Sequence, residues 1–181
     1  MARYVALFRG INVGKAKRIA MADLRTLLGK LGYTEVKTLL NSGNAVFTAG
    51  EAGAAKHAQR IRAAVHGKLG VDALVIVKSD KEVAAIVAGN ELEKFATDPA
   101  RLLVAMTNDA KALAGTGKLA DAQWGDERIH VGKYAAYLWC ANGILESKVA
   151  AALLKKLDNM GTTRNWSTLN KILALMKDDG R

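Results

Sequence analysis

The order in which strand-like and helix-like hydrophobic segments follow one another constrains this chain more than any single motif does. Four leucines within residues 24–31 recur at the i, i+3, i+4, i+7 spacing of one helix face, and residues 3–9 form a strand-like segment, apolar from Tyr4 to Phe8 and bounded by Gly10. The first 80 residues hold six such segments, which we predict as strand, helix, strand, strand, helix and strand over 3–9, 24–31, 36–40, 45–48, 54–69 and 73–77. This β-α-β-β-α-β order is that of the ferredoxin-like, or split βαβ, unit.

The second half of the chain repeats this order of elements without evident identity to the first half. Ser79 and Glu82 have the spacing of a capping box, so we expect a connecting helix to begin there. Further segments follow as a strand over 101–106, a weak glycine-broken helix over 109–119 and a hairpin of strands 128–131 and 134–139. A helix over 149–157, a short strand over 161–164 and a closing helix over 169–176 complete the order. We therefore predict an α+β fold of two tandem ferredoxin-like α/β plaits. Residues 1–79 would form the first plait with a basic loop, and residues 80–181 the connecting helix, the second plait and the C-terminal helix.

Composition excludes several broad classes of protein. The chain has 181 residues, of which 50% are hydrophobic and 24% charged, values typical of a soluble globular chain and not of a disordered or collagen-like one. Its first apolar run is too short for a signal peptide, and no run approaches the roughly 18 apolar residues of a membrane span. The single cysteine, Cys140, cannot form an internal disulfide, so we expect a cytoplasmic protein with a buried thiol.

The net charge of +10 is carried mostly by the first half of the chain. Residues 1–80 contain 13 Lys and Arg against 5 Asp and Glu. The densest stretch follows the first strand, where Arg9, Lys15, Lys17 and Arg18 have no acidic residue between them. Such a surface attracts phosphates, nucleic acid or acidic partners. A solvated face that only aids solubility is an equal alternative.

Two glycine-bearing segments are candidate parts of one anion site. Gly10–Lys15 lies between the first strand and the first helix, where glycines let backbone N–H groups turn toward an anion. Its spacing is not that of a P-loop, because three residues separate the glycines and Ala16 follows the lysine, so a nucleotide hydrolase is not expected. The hairpin Asn41–Asn44 should lie near this loop, because the first and third strands of a plait are neighbours. Each segment also fits a purely structural role as a connecting loop or a tight turn.

A third polar segment, Thr162–Trp166, precedes the closing helix. Arg164 and Asn165 bring a guanidinium and an amide suited to recognition of a polar ligand. The alternative is a helix entry capped by Ser167 or Thr168.

The sequence holds almost no catalytic motif. His57, His66 and His130 lack the spacing of metal ligands, and neither a Gly-x-Ser-x-Gly elbow nor a suggestive pair of acids occurs. We expect no metal and no cofactor. Whether the protein is an enzyme, and which oligomeric state it adopts, stay open.

Aromatic residues on the predicted strands suggest another use of the sheet. Tyr4 and Phe8 share one face of the first strand and Phe47 lies on the third, positions at which an RNA-binding plait displays stacking aromatics. The Lys/Arg-Gly-Phe/Tyr pattern of such plaits is missing from the third strand. We therefore expect this face to be buried, with the second unit as its cover.

Three motifs together resemble one bacterial family. They are Ala6–Gly14, Leu40–Phe47 and Thr162–Trp166, and they occur in this order along the chain. Through these motifs the chain resembles domain-of-unknown-function family 1697, and the resemblance extends over nearly its whole length. The resemblance implies two tandem α/β plaits and no particular activity. After Gly14 the family usually has a further Gly and then Lys-Asn, whereas this chain has Lys15–Lys17. Later in the loop the family has Pro-Met, whereas this chain has Ala20 before Met21. The loop of this chain is therefore more basic and poorer in glycine than that of the family.

Three functional hypotheses remain. The favoured one is a binding protein that holds a phosphate-bearing ligand, or nucleic acid, through loop 9–18 and hairpin 41–44. The second is an enzyme acting on a small phosphorylated or acidic metabolite in a cleft between the plaits, and the third is a structural or partner-binding module. No membrane partner is expected. The predicted ligand contacts are Arg9, Gly10, Asn12, Gly14, Lys15, Asn41, Ser42, Asn44, Arg164 and Asn165.

Overall fold

The computed structural model describes residues 1–178 and shows a mixed α+β fold. These residues form two four-stranded antiparallel sheets and six α-helices. The chain divides into a first compact unit, Met1–Val83 with the residues from Ile172 onward, and a second unit, Ala84–Lys171. The domain limits predicted from the sequence, 1–79 and 80–181, stay a prediction. No helix within residues 1–178 combines the length and the apolar character needed to cross a bilayer.

The first unit follows the predicted order of elements. Its strands and helices are β1 (Ala2–Phe8), α1 (Met21–Lys30), β2 (Thr34–Leu39), β3 (Asn44–Ala49), α2 (Ala54–Leu69) and β4 (Val75–Ser79). The strands lie in the order β2-β3-β1-β4, and every pair is antiparallel. In the β1–β3 pair Leu7 is opposite Asn44, so the end of β1 meets the start of β3. This register places the loop after β1 beside the β2–β3 hairpin.

One face of this sheet packs against α1 and α2. Tyr4, Phe8 and Phe47 lie in a buried cluster with the helix residues Leu24 and Ile61. Alternation along the strands sends these aromatic side chains to the same side of the sheet. Their predicted burial is confirmed, but the cover is the helix pair of the same unit, whereas the sequence prediction assigned it to the second unit.

The second unit repeats the arrangement. Its elements are the end of α3 (Asp80–Ala88), β5 (Leu102–Thr107), α4 (Ala110–Ala114), β6 (Arg128–Val131), β7 (Ala136–Trp139), α5 (Lys148–Lys156), β8 (Gly161–Asn165) and the start of α6 (Trp166–Lys177). The strand order is β6-β7-β5-β8, again antiparallel throughout. At the start of α3 the Ser79 N–H donates to Glu82 Oε2 at 2.8 Å and the Glu82 N–H donates to Ser79 Oγ at 3.3 Å, which confirms the predicted capping box.

Several predicted elements differ in their limits, and three of the differences have a clear local cause. Strand β4 begins at Val75 rather than at residue 73, because its pairing with β1 starts where Val75 faces Phe8. Strand β7 begins at Ala136 rather than at residue 134, because the Gly132 N–H donates to the carbonyl oxygen of Ala135 at 2.9 Å and this turn occupies the residues before it. The predicted helix 109–119 is the short α4 followed by a 3-10 turn at Gly117–Asp121.

Candidate anion-binding loop

The loop that joins β1 to α1, residues 9–20, folds back on itself. Gly10, Asn12, Gly14 and Lys17 have φ values of 66°, 56°, 62° and 51°. Glycine adopts this left-handed region without steric cost and asparagine does so more readily than most residues. The Asn12 N–H donates to the carbonyl oxygen of Lys17 at 3.0 Å and closes the tip of the loop.

The side-chain amide of Asn12 holds the loop in this shape. Its Nδ2 donates to the carbonyl oxygen of Ile19 at 2.9 Å, and its Oδ1 accepts from the Ile19 N–H at 2.8 Å. The same Nδ2 donates to the carbonyl oxygen of Asn41 at 2.8 Å. One amide therefore joins the two ends of the loop and ties them to the hairpin, and both of its N–H donors are used in doing so.

The β2–β3 hairpin packs directly on the start of the loop. The Phe8 N–H donates to the carbonyl oxygen of Gly43 at 2.9 Å. Gly43 has a φ of 90°, and a Cβ there would lie 2.6 Å from Ile11 Cδ1 and 2.8 Å from Phe8 Cβ. Only glycine fits this contact. The expected closeness of loop and hairpin is confirmed.

An open depression of about 350 Å³ lies between the loop and the hairpin. It is lined by Asn12, Arg18, Ile19, Ala20 and Asn41. Helix α1 begins at Met21, directly after the lining residue Ala20, and Ala20 makes no side-chain capping hydrogen bond. The depression therefore has the Arg18 side chain in its lining and lies next to the start of a helix.

The loop carries exposed cations, of which Arg18 lines the depression. Lys15, Lys17 and Arg18 are all exposed, and among the described residues no carboxylate lies within ion-pair distance of Lys15 or Arg18. The Arg62 guanidinium, with a smaller contribution from Lys17, holds the pKa of the Asp72 carboxyl below its usual range. The three exposed cations give the loop a positive local charge.

The remaining predicted contacts of the first unit differ in accessibility. Gly10, Gly14 and Ser42 are exposed, and Arg9 is half-buried with its N–H donating to the carbonyl oxygen of Leu74 at 3.0 Å. Asn44 is fully buried, and its Nδ2 donates to the carbonyl oxygen of Leu39 at 2.8 Å. Asn44 therefore shapes the hairpin, and its contact with a ligand stays a prediction.

Arg164 belongs to the second unit, where it is buried on β8. Its Nη1 donates to Thr162 Oγ1 at 2.9 Å and to the carbonyl oxygen of Thr163 at 2.8 Å. Burial lowers the pKa of this guanidinium to about 10, so the side chain stays charged at neutral pH. Its contact with a ligand stays a prediction.

Asn165 has a structural task in the same unit. Its Oδ1 accepts from the Thr168 N–H at 2.8 Å, the bond of an N-cap residue to the third residue of α6. The prediction that Ser167 or Thr168 caps this helix is wrong, because α6 begins at Trp166. The role of Asn165 as a ligand contact stays a prediction.

Three lining residues, Arg18, Ile19 and Ala20, were not among the predicted ligand contacts. Arg18 was recognised only as part of the basic loop, and the density of positive charge was the signal that marked it. Ile19 had no sequence signal, because it contributes through its backbone bonds to Asn12.

The histidine and carboxylate side chains of residues 1–178 do not assemble into a metal centre. Within residues 1–178 no group of three or more His, Cys, Asp or Glu is placed to hold a metal ion. His57 is buried, with Nδ1 2.9 Å from the Tyr33 hydroxyl and Nε2 3.1 Å from the carbonyl oxygen of Gly50. Both ring nitrogens are thus used in the core of the first unit.

The loop and the hairpin lie within the part of the chain that matches a known family. Residues 1–137 match the family described as protein of unknown function (DUF1697). The chain belongs to this family. The matched residues include both segments of the candidate site, whereas Thr162–Trp166 lies outside them. The family match is therefore shorter than the nearly full-length resemblance that the three motifs implied.

A solved structure has the same fold as this DUF1697 member. The conserved bacterial protein SP0830 from Streptococcus pneumoniae superposes with a TM-score of 0.80 at 24% sequence identity, over 97% of this chain and 99% of that one. At this identity the likeness shows the fold alone. No curated protein matches the chain.

Proposed function

We propose that this protein binds a phosphate-bearing ligand through the loop 9–18 and the hairpin 41–44. The observation that supports it is the loop clamped by Asn12, which holds exposed cations beside the depression. A loop already fixed by three side-chain hydrogen bonds loses little conformational freedom when a ligand binds. Positive charge at such a loop attracts phosphate oxygens.

The residues of the loop divide into positioning and contacting groups. Asn12 donates its side-chain N–H groups to backbone carbonyls, and Asn44 donates to the Leu39 carbonyl and to Ser42 Oγ, so both position the loop and the hairpin. Arg18 and Lys15 contact phosphate oxygens, with Arg18 capable of two parallel hydrogen bonds. Asn41, exposed at the edge of the depression, adds an amide donor.

We also propose that each unit is a ferredoxin-like plait. The strand order β2-β3-β1-β4 in the first unit and β6-β7-β5-β8 in the second support this proposal, because both accompany the β-α-β-β-α-β order of elements. An experimental structure in which either sheet has a different strand order would contradict it.

The binding proposal is tested by equilibrium titration of the full chain. The probes are inorganic pyrophosphate, a mononucleotide, single-stranded RNA and duplex DNA, each at about 50 mM and about 200 mM salt. Saturable binding of pyrophosphate and the mononucleotide indicates a small-molecule site. Tight binding of RNA or DNA alone, with a steep loss at the higher salt concentration, indicates nucleic acid. Absence of binding by all four probes at low salt overturns the proposal.

A matched pair of variants separates the site from the general charge of the protein. The first carries Lys15→Gln, Lys17→Gln and Arg18→Gln, and the second carries Lys111→Gln, Lys155→Gln and Lys156→Gln at exposed positions of the second unit. Each loses three positive charges. We expect the first to bind at least about tenfold more weakly and the second to change little. An equal loss in both would mean that net charge alone drives association.

A further inference from the structure

Helices α1 and α2 of the first unit leave a groove between them, here called the helix groove. Its lining comes from α1, from Leu31 directly after α1 and from the second half of α2. Its volume is about 760 Å³, against about 350 Å³ for the depression at the loop, and lies in the range of small-molecule sites. None of its lining residues takes part in the proposed phosphate site.

The lining residues that are not exposed are all apolar. Leu27 belongs to the buried core of the first unit, and Leu31, Ala64 and Leu69 are half-buried residues packed against that core. The edge of the core is therefore open to solvent along the groove. An alkyl chain that covers these side chains leaves water for an apolar surface, which is favourable in proportion to the area covered.

Gly67 leaves free space on the α2 side of the groove. It lies inside α2, where glycine is less favourable than alanine, yet neither a left-handed φ nor a close neighbour requires glycine there, because a Cβ at this position meets no atom within 4 Å. Ala63 and Ala64, three and four positions earlier, lie on the same helix face and also line the groove. A larger side chain at position 67 would therefore take up space in the groove.

Two uncommitted cations lie in the same lining. Lys30 and Lys68 are exposed, and among the described residues no carboxylate lies within ion-pair distance of either. Asp23 is the acidic residue of the lining and is also exposed. The lining thus carries one net positive charge beside an apolar surface, which is complementary to an anionic group joined to a carbon chain.

We infer that the helix groove binds a long-chain carboxylate. The alkyl chain lies on Leu27, Leu31 and Leu69, and the carboxylate pairs with Lys30 or Lys68. A chain with a cationic head meets two lysines instead of a partner, and a short carboxylate leaves most of the apolar lining uncovered.

The test is calorimetric titration of the full chain with decanoate below its micelle concentration. Decylammonium and butanoate are the comparison probes, because the first reverses the charge and the second shortens the chain. We expect saturable binding of decanoate and at least about tenfold weaker binding of the other two. Absence of saturable decanoate binding, or equal affinity for either comparison probe, overturns the inference.

Two further measurements address the other occupants of an apolar groove. A synthetic amphipathic helix rich in Leu and Glu is titrated in the same way, and sedimentation equilibrium gives the oligomeric state of the chain alone. Binding of the peptide without binding of decanoate would assign the groove to a protein partner. A dimer that Gly67→Leu dissociates would assign it to a second copy of the chain. Either result overturns the inference.

A matched pair of glycine variants shows whether binding depends on the groove. Gly67→Leu fills the free space on α2, and we expect at least about tenfold weaker binding of decanoate. Gly29→Leu is the control, because Gly29 lies inside α1, is exposed, has equally open space at its Cβ position and does not line the groove. It should leave the affinity unchanged. An equal loss in both variants, with both folded by circular dichroism, contradicts the assignment to the groove.

Charge variants test the head group. Lys30→Gln combined with Lys68→Gln should weaken decanoate binding at least about tenfold, whereas Asp23→Asn should strengthen it. The control, Lys111→Gln combined with Lys155→Gln, removes the same charge from exposed positions of the second unit and should change little. An equal loss in the two double variants would assign the binding to net charge and overturn the inference.

Competition separates this site from the proposed phosphate site. Excess pyrophosphate should leave decanoate binding unchanged, because the loop and the groove share no lining residue. Displacement of decanoate by pyrophosphate would place the carboxylate at the loop and overturn the inference. Failure of pyrophosphate to bind at all would bear on the phosphate site alone.

Discussion

The side-chain amide of Asn12 bonds both backbone groups of Ile19, donating to its carbonyl oxygen at 2.9 Å and accepting from its N–H at 2.8 Å. Two residues of an antiparallel ladder exchange bonds in the same reciprocal way. Here a side chain replaces one strand, so residues 13–18 are held in a fixed loop outside the sheet. The loop that carries the exposed cations therefore owes its shape to a single asparagine.

Replacement of Asn12 tests this clamp. Asn12→Ala removes three side-chain hydrogen bonds and places alanine at a φ of 56°, so we expect a loss of about 2–4 kcal/mol in the free energy of unfolding. Urea denaturation followed by circular dichroism measures it. Asn12→Gly loses the same bonds without the backbone strain and should be about 1 kcal/mol more stable than Asn12→Ala. Wild-type stability in both variants would contradict the clamp.

Gly43 is expected to tolerate no side chain. In Gly43→Ala the new Cβ would lie 2.6 Å from Ile11 Cδ1, and φ is 90°, so we expect about 2–4 kcal/mol of destabilisation from overpacking and strain together. Gly32→Ala is the matched control, because Gly32 has a φ of 82° and open space around the position of a Cβ. Thermal unfolding of both variants separates the two effects. Equal losses would show that contact with Ile11 contributes nothing.

Asn165→Ala should weaken the start of α6. The variant loses the bond from the Thr168 N–H to Asn165 Oδ1, and loss of an N-cap costs about 1 kcal/mol. Asn165→Asp keeps an acceptor at the same place and should retain most of the stability. The free energy of unfolding of the two variants checks this, and the expectation fails if aspartate is as destabilising as alanine.

Tyr137 should make stability depend on pH in the alkaline range. Its buried hydroxyl donates to the carbonyl oxygen of Ile86 at 2.5 Å, and burial raises its pKa from 10.0 to about 12. Because the folded state favours the neutral phenol, its contribution is complete below pH 10 and is lost as the pH rises toward 12. Wild-type stability should therefore fall more steeply over this range than that of Tyr137→Phe, as measured by urea denaturation at several pH values.

The control for this titration is Tyr134→Phe, since Tyr134 is 39% exposed. It should keep the wild-type pH dependence. A Tyr137→Phe protein with the wild-type slope between pH 10 and 12 would show that another group causes the loss.

Elements that depend on near neighbours in the chain were predictable. The leucine spacing within residues 24–31 and the ending of α2 at Gly70, which has a φ of 69°, are local properties of the sequence. The Ser79–Glu82 capping box likewise involves residues three apart, and its predicted bonds are present. Limits of β4 and β7 were missed, because strand limits depend on the partner strand and on the turn rather than on the strand itself.

The sequence alone determined the order of the elements, the excess of positive charge near the start and the presence of glycine and asparagine where the loop turns. Only the tertiary structure decided how these residues are used. It brought the Asn41 carbonyl to Asn12 across 29 positions, pressed Ile11 against Gly43 and left Glu127 Oε1 buried without a donor within residues 1–178. The physical reason is that periodicity and capping act over a few neighbouring residues, whereas hydrogen-bond satisfaction and close packing depend on atoms brought together from distant parts of the chain.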